Sequence, residues 1–306
     1  MKTRLVAHQG VVYLAHVAGR GRVDLFDLGG RKLEGGFEFD PAGDAAGSPA
    51  RIELAGLGVD DDRRLWIADG AARSVRGFTV FGREGLRLGA PEAHRASGAS
   101  DPDVRGVIGS PSAIAASGHD EDLRLLVGSA GRRRHGLHLF TTGGRLVRSL
   151  RPRGESHGRF AGVSAVAIGG PRLFAAEHRA ARVQVFEGTD HWFDVQPRAL
   201  CGTPVRVVAL DTDSGRELLL ATVGAADGSG GEVLWVEEGR WDRPHRIAAP
   251  GTGPGQVDEP VAVALARDED RGEPLAVVAD RSGTRLQLFA LDGTCFGEFT
   301  GMGELP

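Results

Sequence analysis

The chain has 306 residues, a formal charge of −4, 41% apolar residues and only two cysteines, Cys201 and Cys295. This length admits one or two domains. Two cysteines exclude a disulfide framework, the absence of any run of 18 apolar residues excludes a membrane-spanning helix, and the opening MKTRLVAHQG reaches a polar histidine too soon for a secretory signal. The expectation is a reduced, cytoplasmic protein without a membrane partner.

The predicted elements repeat. The first unit has an apolar run at Arg4–His8, a second at Val12–His16 (VYLAH), a third at Arg22–Phe26 (RVDLF) and a weaker one at Leu33–Phe39. The second unit begins at Ala55–Val59 and continues with LWIAD (Leu65–Asp69), GFTVF (Gly77–Phe81) and Leu86–Leu88. The third has Ser112–Ala116, LLVGS (Leu125–Ser129), GLHLF (Gly136–Phe140) and Leu146–Leu150. The fourth has Ser164–Ile168, LFAAE (Leu173–Glu177), RVQVF (Arg182–Phe186) and His191–Val195. The fifth has Val205–Ala209, LLLAT (Leu218–Thr222), EVLWV (Glu232–Val236) and His245–Ala248. The sixth has Val261–Leu265, AVVAD (Ala276–Asp280), RLQLF (Arg285–Phe289) and Cys295–Phe299.

These runs are short, rich in β-branched and aromatic residues and bounded by turn residues, so they read as strands. A fixed internal period is the signature of a repeat architecture. Six four-stranded antiparallel units at this period predict an all-β, six-bladed propeller in one domain, 1–306, with blades near 3–39, 51–88, 111–150, 162–195, 204–248 and 260–299. Each blade comes from one continuous segment, so the ring is expected to close by packing the first blade on the sixth, the alternative being that the residues after Phe299 form a tail that pairs elsewhere. The residues that close the third runs (Phe26, Phe81, Phe140, Phe186 and Phe289) are expected to be buried between blades. Two long connections, 40–50 and 89–110, rich in Gly, Ala, Ser, Pro and Asp and without aromatics, are expected to be disordered.

The segment Gly251-Thr-Gly-Pro-Gly-Gln-Val-Asp-Glu-Pro260, followed by VVAD and RLQLF, resembles an NHL repeat, as does Gly154–Arg159 leading into LFAAE and RVQVF. The fifth unit departs most, with Thr222, Glu232 and Val236 where Asp, Arg and Phe are usual. The resemblance implies a six-bladed NHL propeller. It does not imply one activity, because NHL propellers include RNA binders, scaffolds and metal-dependent lyases.

Two functional readings follow. A metal-dependent hydrolase or lyase, lactonase-like or lyase-like, would hold one Ca, Mg or Zn at the channel mouth. Its only candidate ligands are Glu53, Glu259, His16, Asp69, Glu177 and Asp280. The resemblance instead makes Asp69, Glu177 and Asp280 braces of their turns, opposite Arg76, Arg182 and Arg285. The innermost strands, which line the channel, can begin with a polar residue such as Arg4, but in their middle and end positions only Arg206 and His8 are polar, too few donors for a metal site. The other reading is a non-catalytic binding propeller with no cofactor. The turns joining second to third strands carry eleven Arg against five acids, a sum of +6, and those joining first to second carry thirteen acids against seven Arg, a sum of −6. The excess arginines are Arg20, Arg73, Arg132, Arg133, Arg134, Arg179 and Arg281. Clustered guanidinium groups suit carboxylate or phosphate partners. Exposed aromatics for base stacking are few, so an acidic protein or peptide is expected in preference to RNA, in a larger assembly.

Overall fold

The computed structural model describes residues 3–40, 51–89, 108–118, 124–130, 135–141, 143–150, 153–177, 179–187, 190–195, 205–224, 230–267, 272–280 and 285–299. Blade one is β1 (Thr3–His8), β2 (Val11–Ala18), β3 (Arg20–Asp27) and β4 (Phe37–Phe39). Blade two is β5 (Leu54–Val59), β6 (Leu65–Asp69), β7 (Ser74–Phe78) and β8 (Glu84–Leu88), and blade three is β9 (Ser110–Ser117), β10 (Arg124–Ala130), β11 (Gly136–Thr141) and β12 (Leu146–Leu150). Blade four is β13 (Val163–Gly169), β14 (Arg172–Glu177), β15 (Arg182–Glu187) and β16 (Asp190–Val195). Blade five is β17 (Val205–Asp211), β18 (Glu217–Gly224), β19 (Glu232–Glu237) and β20 (His245–Pro250), to which the two-residue β21 (Gln256–Val257) adds in parallel. Blade six is β22 (Pro260–Arg267), β23 (Pro274–Asp280), β24 (Arg285–Ala290) and β25 (Cys295–Phe299).

Within each blade, strands neighbour one another in chain order and antiparallel. The innermost strands β1, β5, β9, β13, β17 and β22 stand side by side in that sequence, and β22 returns to β1. The six sheets therefore form a six-bladed propeller. No strand of blade one or six comes from the other end of the chain. Among the described residues no helix is long and apolar enough to cross a membrane.

The core is divided into six seams, one between each pair of neighbouring blades. Both faces of a blade are covered, which is why the second strands read as continuous apolar runs rather than alternating ones; Leu65, Trp66, Ile67 and Ala68 are all buried. At the closing seam, Leu5, Val12, Leu14 and Phe26 pack against Ala262, Ala264, Val277 and Leu286, and the Phe26 and Phe299 rings lie 6.4 Å apart.

One column of the sequence reading is out of register. Phe26, Phe140, Phe186 and Phe289 are buried, but Phe81 is 87% exposed and Phe78 takes its place. Phe78 pairs with Leu65 as Phe140 pairs with Leu125 and Phe186 with Leu173. The chain turns straight after Phe78, with Gly82 N donating to Thr79 O at 2.9 Å, so the third strand of blade two is Ser74–Phe78 rather than Gly77–Phe81. Trp66 explains the glycine inside it: a Cβ on Gly77 would stand 2.7 Å from the indole.

Five inner strands carry a β-bulge at the same level. Ala55, Ser112, Ser164, Val208 and Val261 are each skipped in the pairing with the second strand. Blade one pairs straight through, with Arg4 opposite Ala15. Bulges re-aim side chains and gather at barrel rims.

Candidate functional site

The column His16, Asp69, Ser129, Glu177, Thr222 and Asp280 is buried in every blade. Its carboxylates are engaged within their own blades. Glu177 Oε2 accepts Arg182 Nε at 2.8 Å and Gln184 Nε2 at 2.6 Å, and its Oε1 accepts Ala161 N at 2.5 Å. Asp280 accepts Arg285 Nη2 at 2.7 Å and Glu259 N at 2.7 Å. Asp69 Oδ1 accepts the N–H groups of Glu53, Ala71 and Ala72 at 3.0–3.2 Å.

The arginines reach further. Arg182 donates to the carbonyls of Glu155, Ser156 and Arg159, and Arg285 to those of Thr252, Gly253 and Gln256. Each thus clasps the Gly-rich connection arriving from the preceding blade. Gln184 and Gln287 complete the clasp, accepting from Gly158 N and Gly255 N and donating to Arg159 O and Gln256 O.

Blade two departs from this pattern. Ser74, not an arginine, stands opposite Asp69. Arg76, expected beside Asp69, lies under the rings of Phe39 and Phe78 at 5.4 and 5.3 Å and reaches Glu84 at 3.5 Å; burial lowers its pKa against the pull of Glu84. In blade one, His16 Nδ1 is 3.9 Å from Asp24, which also binds Lys32 at 2.7 Å and Arg22 at 3.0 Å. Burial lowers the His16 pKa against the pull of Asp24.

The four members of this column named as metal candidates thus lie in different blades. Glu53 lies against Gly70, Glu259 is exposed, and neither lines the channel, nor does Arg206. No three His, Cys, Asp or Glu among the described residues are placed to hold a metal ion.

Of the seven excess arginines, Arg20 forms ion pairs with Glu38 at 3.6 Å and Asp40 at 3.3 Å. Arg73 and Arg179 are exposed. Arg132, Arg133, Arg134 and Arg281 lie outside the described residues, as do most of the two long connections. Several acids of the opposite face are engaged within the fold. Asp60 is buried and caps its turn, accepting Trp66 Nε1 at 3.0 Å and Arg64 N at 2.8 Å. Asp61 accepts Gly118 N of the next blade at 3.0 Å, Asp62 pairs with Arg64 at 2.8 Å, and Asp213 pairs with Arg267.

On the axis lies a cavity of about 190 Å³. Small and apolar residues of the inner strands line most of it, but its exposed surface is more polar than apolar, with Arg4 toward the basic face and His8, Asp61, Asp211 and Asp213 toward the acidic one. Asp211 accepts Leu265 N of blade six at 2.8 Å and Thr212 N at 2.9 Å, and burial pushes its pKa up to about 7. Arg4 donates from Nε to Ala55 O and from Nη1 to Thr3 O, both at 2.9 Å, and burial lowers its pKa. The sequence counts Asp211 among the thirteen turn acids and Arg4 as the start of an inner strand, and singles out neither. The signal available for Arg4 was a charge at the start of an inner strand where the other five blades place a small or apolar residue.

No family model matches this chain, and no curated protein does. Solved structures do. Virginiamycin B lyase from Staphylococcus aureus superposes with a TM-score of 0.57 at 12% identity, over 97% of this chain and 83% of that one. The WD40 propeller domain of Doa1 gives 0.56 at 13% identity, over 97% and 81%. A chain of the nidogen/laminin complex gives 0.54 at 12% identity, over 96% and 92%. At these identities the likeness is one of fold.

Proposed function

We propose that the chain is a non-catalytic binding propeller of the NHL type, which docks an acidic protein or peptide on its basic face as a subunit of a larger assembly. The observation that carries the reading is the run of arginines across consecutive blades. Arg73 of blade two and Arg179 of blade four are exposed, with no ion pair to any described residue, and Arg132, Arg133 and Arg134 fall in the connection between β10 and β11 of the blade between them. Guanidinium groups bind carboxylates bidentately and attract them from a distance. The Arg–Gln clasp on the Gly-rich connection, repeated in blades four and six, supports the NHL reading.

A fluorescent Asp/Glu-rich peptide tests this. It should bind with an affinity that falls as salt rises, and the triple variant Arg132→Glu, Arg133→Glu, Arg134→Glu should abolish binding with the circular dichroism spectrum unchanged. Unchanged affinity, or tighter binding of an RNA oligonucleotide than of the peptide, would overturn the reading. Stoichiometric calcium, magnesium or zinc in the purified protein would favour a metal-dependent hydrolase or lyase instead.

A further inference from the structure

One charge in the channel has no counterpart in the fold. Arg4 lies on the cavity wall with Ala55, Ser164 and Val261, three of the bulged residues. A guanidinium carries five N–H groups. Nε and one N–H of Nη1 are spent on Ala55 O and Thr3 O, which leaves three without a protein acceptor. Arg4 forms no ion pair with any described residue, and burial alone lowers its pKa, with no carboxylate near enough to raise it. A partly desolvated cation normally has a counter-charge supplied beside it, because removing it from water is costly. Here the carboxylates of the cavity, Asp61, Asp211 and Asp213, stand at its other end.

We infer that the channel is a binding site for a small monocarboxylate, its carboxylate seated on Arg4 and its short carbon chain lying along the alanine and valine wall. The planar fork of the guanidinium matches a carboxylate. A cavity of about 150 Å³ holds a ligand the size of benzene, so the volume here suits about six heavy atoms. Ala7, Ala115, Val208 and Val261 are partly exposed on the cavity and supply its apolar stretch. A second carboxylate on the ligand would have to reach the end that holds His8, Asp61 and Asp211, beyond the guanidinium, so one carboxylate is matched and a second is not. This site is distinct from partner docking on the basic face, since among the described turn arginines Arg20, Arg73 and Arg179 none lines it.

The experiment compares butyrate, its neutral isostere butyramide and inorganic phosphate, by calorimetry and by the NMR resonance of the Arg4 Nε–H. Butyrate should bind saturably, shift that resonance and bind at least about tenfold tighter than butyramide, as expected when one charge-assisted pair is lost. Arg4→Gln should lose the difference between butyrate and butyramide, and the Arg132/Arg133/Arg134 triple variant should keep it. Should Arg4→Gln not fold, the Arg4 resonance in the unaltered protein decides. Equal binding of butyrate and butyramide, a preference for phosphate, or an Arg4 resonance that does not move at saturation would each overturn the proposal.

Discussion

Replacing Arg285 with Met isolates what the arginine clasp contributes. The methionine keeps most of the volume and removes the charge and every donor. Arg285 is only 6% exposed, and its guanidinium bonds Asp280 at 2.7 Å and the carbonyls of Thr252 and Gly253 at 2.8 and 3.3 Å. The Gln256 carbonyl keeps a donor from Gln287 Nε2 at 2.8 Å, and Asp280 keeps the N–H groups of Glu259 and Asp258 at 2.7 and 3.2 Å. The loss therefore comprises one buried ion pair, a longer one to the partly exposed Glu298 at 3.6 Å, and two carbonyls. Breaking a buried pair from one side costs about 3–5 kcal/mol, and the retained N–H donors hold the expected figure near the lower end, about 3 kcal/mol. At about 2 °C per kcal/mol for a chain of this size, the melting temperature should fall by about 6 °C. Urea titration measures the free energy, and hydrogen exchange should quicken first in residues 251–257. A loss under about 1 kcal/mol, against that buried-pair expectation, or faster exchange spread evenly over all blades, would refute the clasp as the reason for this arginine.

Phe186→Ala should cost about 3–5 kcal/mol and Phe81→Ala less than about 0.5 kcal/mol; similar losses at the two positions, read by urea unfolding, would mean that the closing column is wrongly placed. The carboxyl of Asp211 binds its proton more tightly folded than unfolded, since burial raises its pKa to about 7. Its contribution to stability should therefore decline as pH rises from about 4 through 7 and then level off. Melting temperatures taken across that range should show this decline, and Asp211→Asn should remove it; an unaltered pH slope in the variant would count against the assignment. Gly169→Ala should destabilise strongly, because a Cβ there would stand 2.2 Å from Gly215 N in the next blade; a variant within about 0.5 kcal/mol of the parent would show that this blade contact yields easily.

The architecture was legible because a propeller repeats its own signal. A run such as LFAAE or AVVAD, buried on both faces and followed by a turn and a third run, recurs six times, the third run closed by Phe in five of them, and each copy reinforces the reading of the others. The register of blade two was not legible. GFTVF and the true strand SVRGF both contain Gly77 and end in Phe, and Trp66 covering Gly77 decides between them. Charges were legible as positions but not as environments. Asp60 and Asp62 are neighbours in sequence, yet one is buried under an indole and the other lies on the surface. Arg182 and Arg285 could be paired with Glu177 and Asp280 from local spacing. Their second role, holding carbonyls 23 to 33 residues away, depends on how the blades dock. Arg4 was read as the polar start of an apolar strand. Its isolation becomes visible only when six inner strands are arranged around one axis and five of them bulge where it does not.

Every blade is written as one unbroken stretch of chain, and among the described residues the circle closes through side-chain packing around Phe26 and Phe299. This has a genetic consequence. In a propeller whose first and last strands share a sheet, copying one repeat of the gene must respect a phase, or it yields half-sheets at the join. Here any in-frame duplication or deletion bounded by two inter-blade connections adds or removes a complete sheet with both its buried faces. The junction between the ends of the chain is also no different in kind from the other five, apart from lacking a covalent link. A gene rearranged to join residue 299 to residue 3 and opened between blades three and four would move the gap without dividing a sheet.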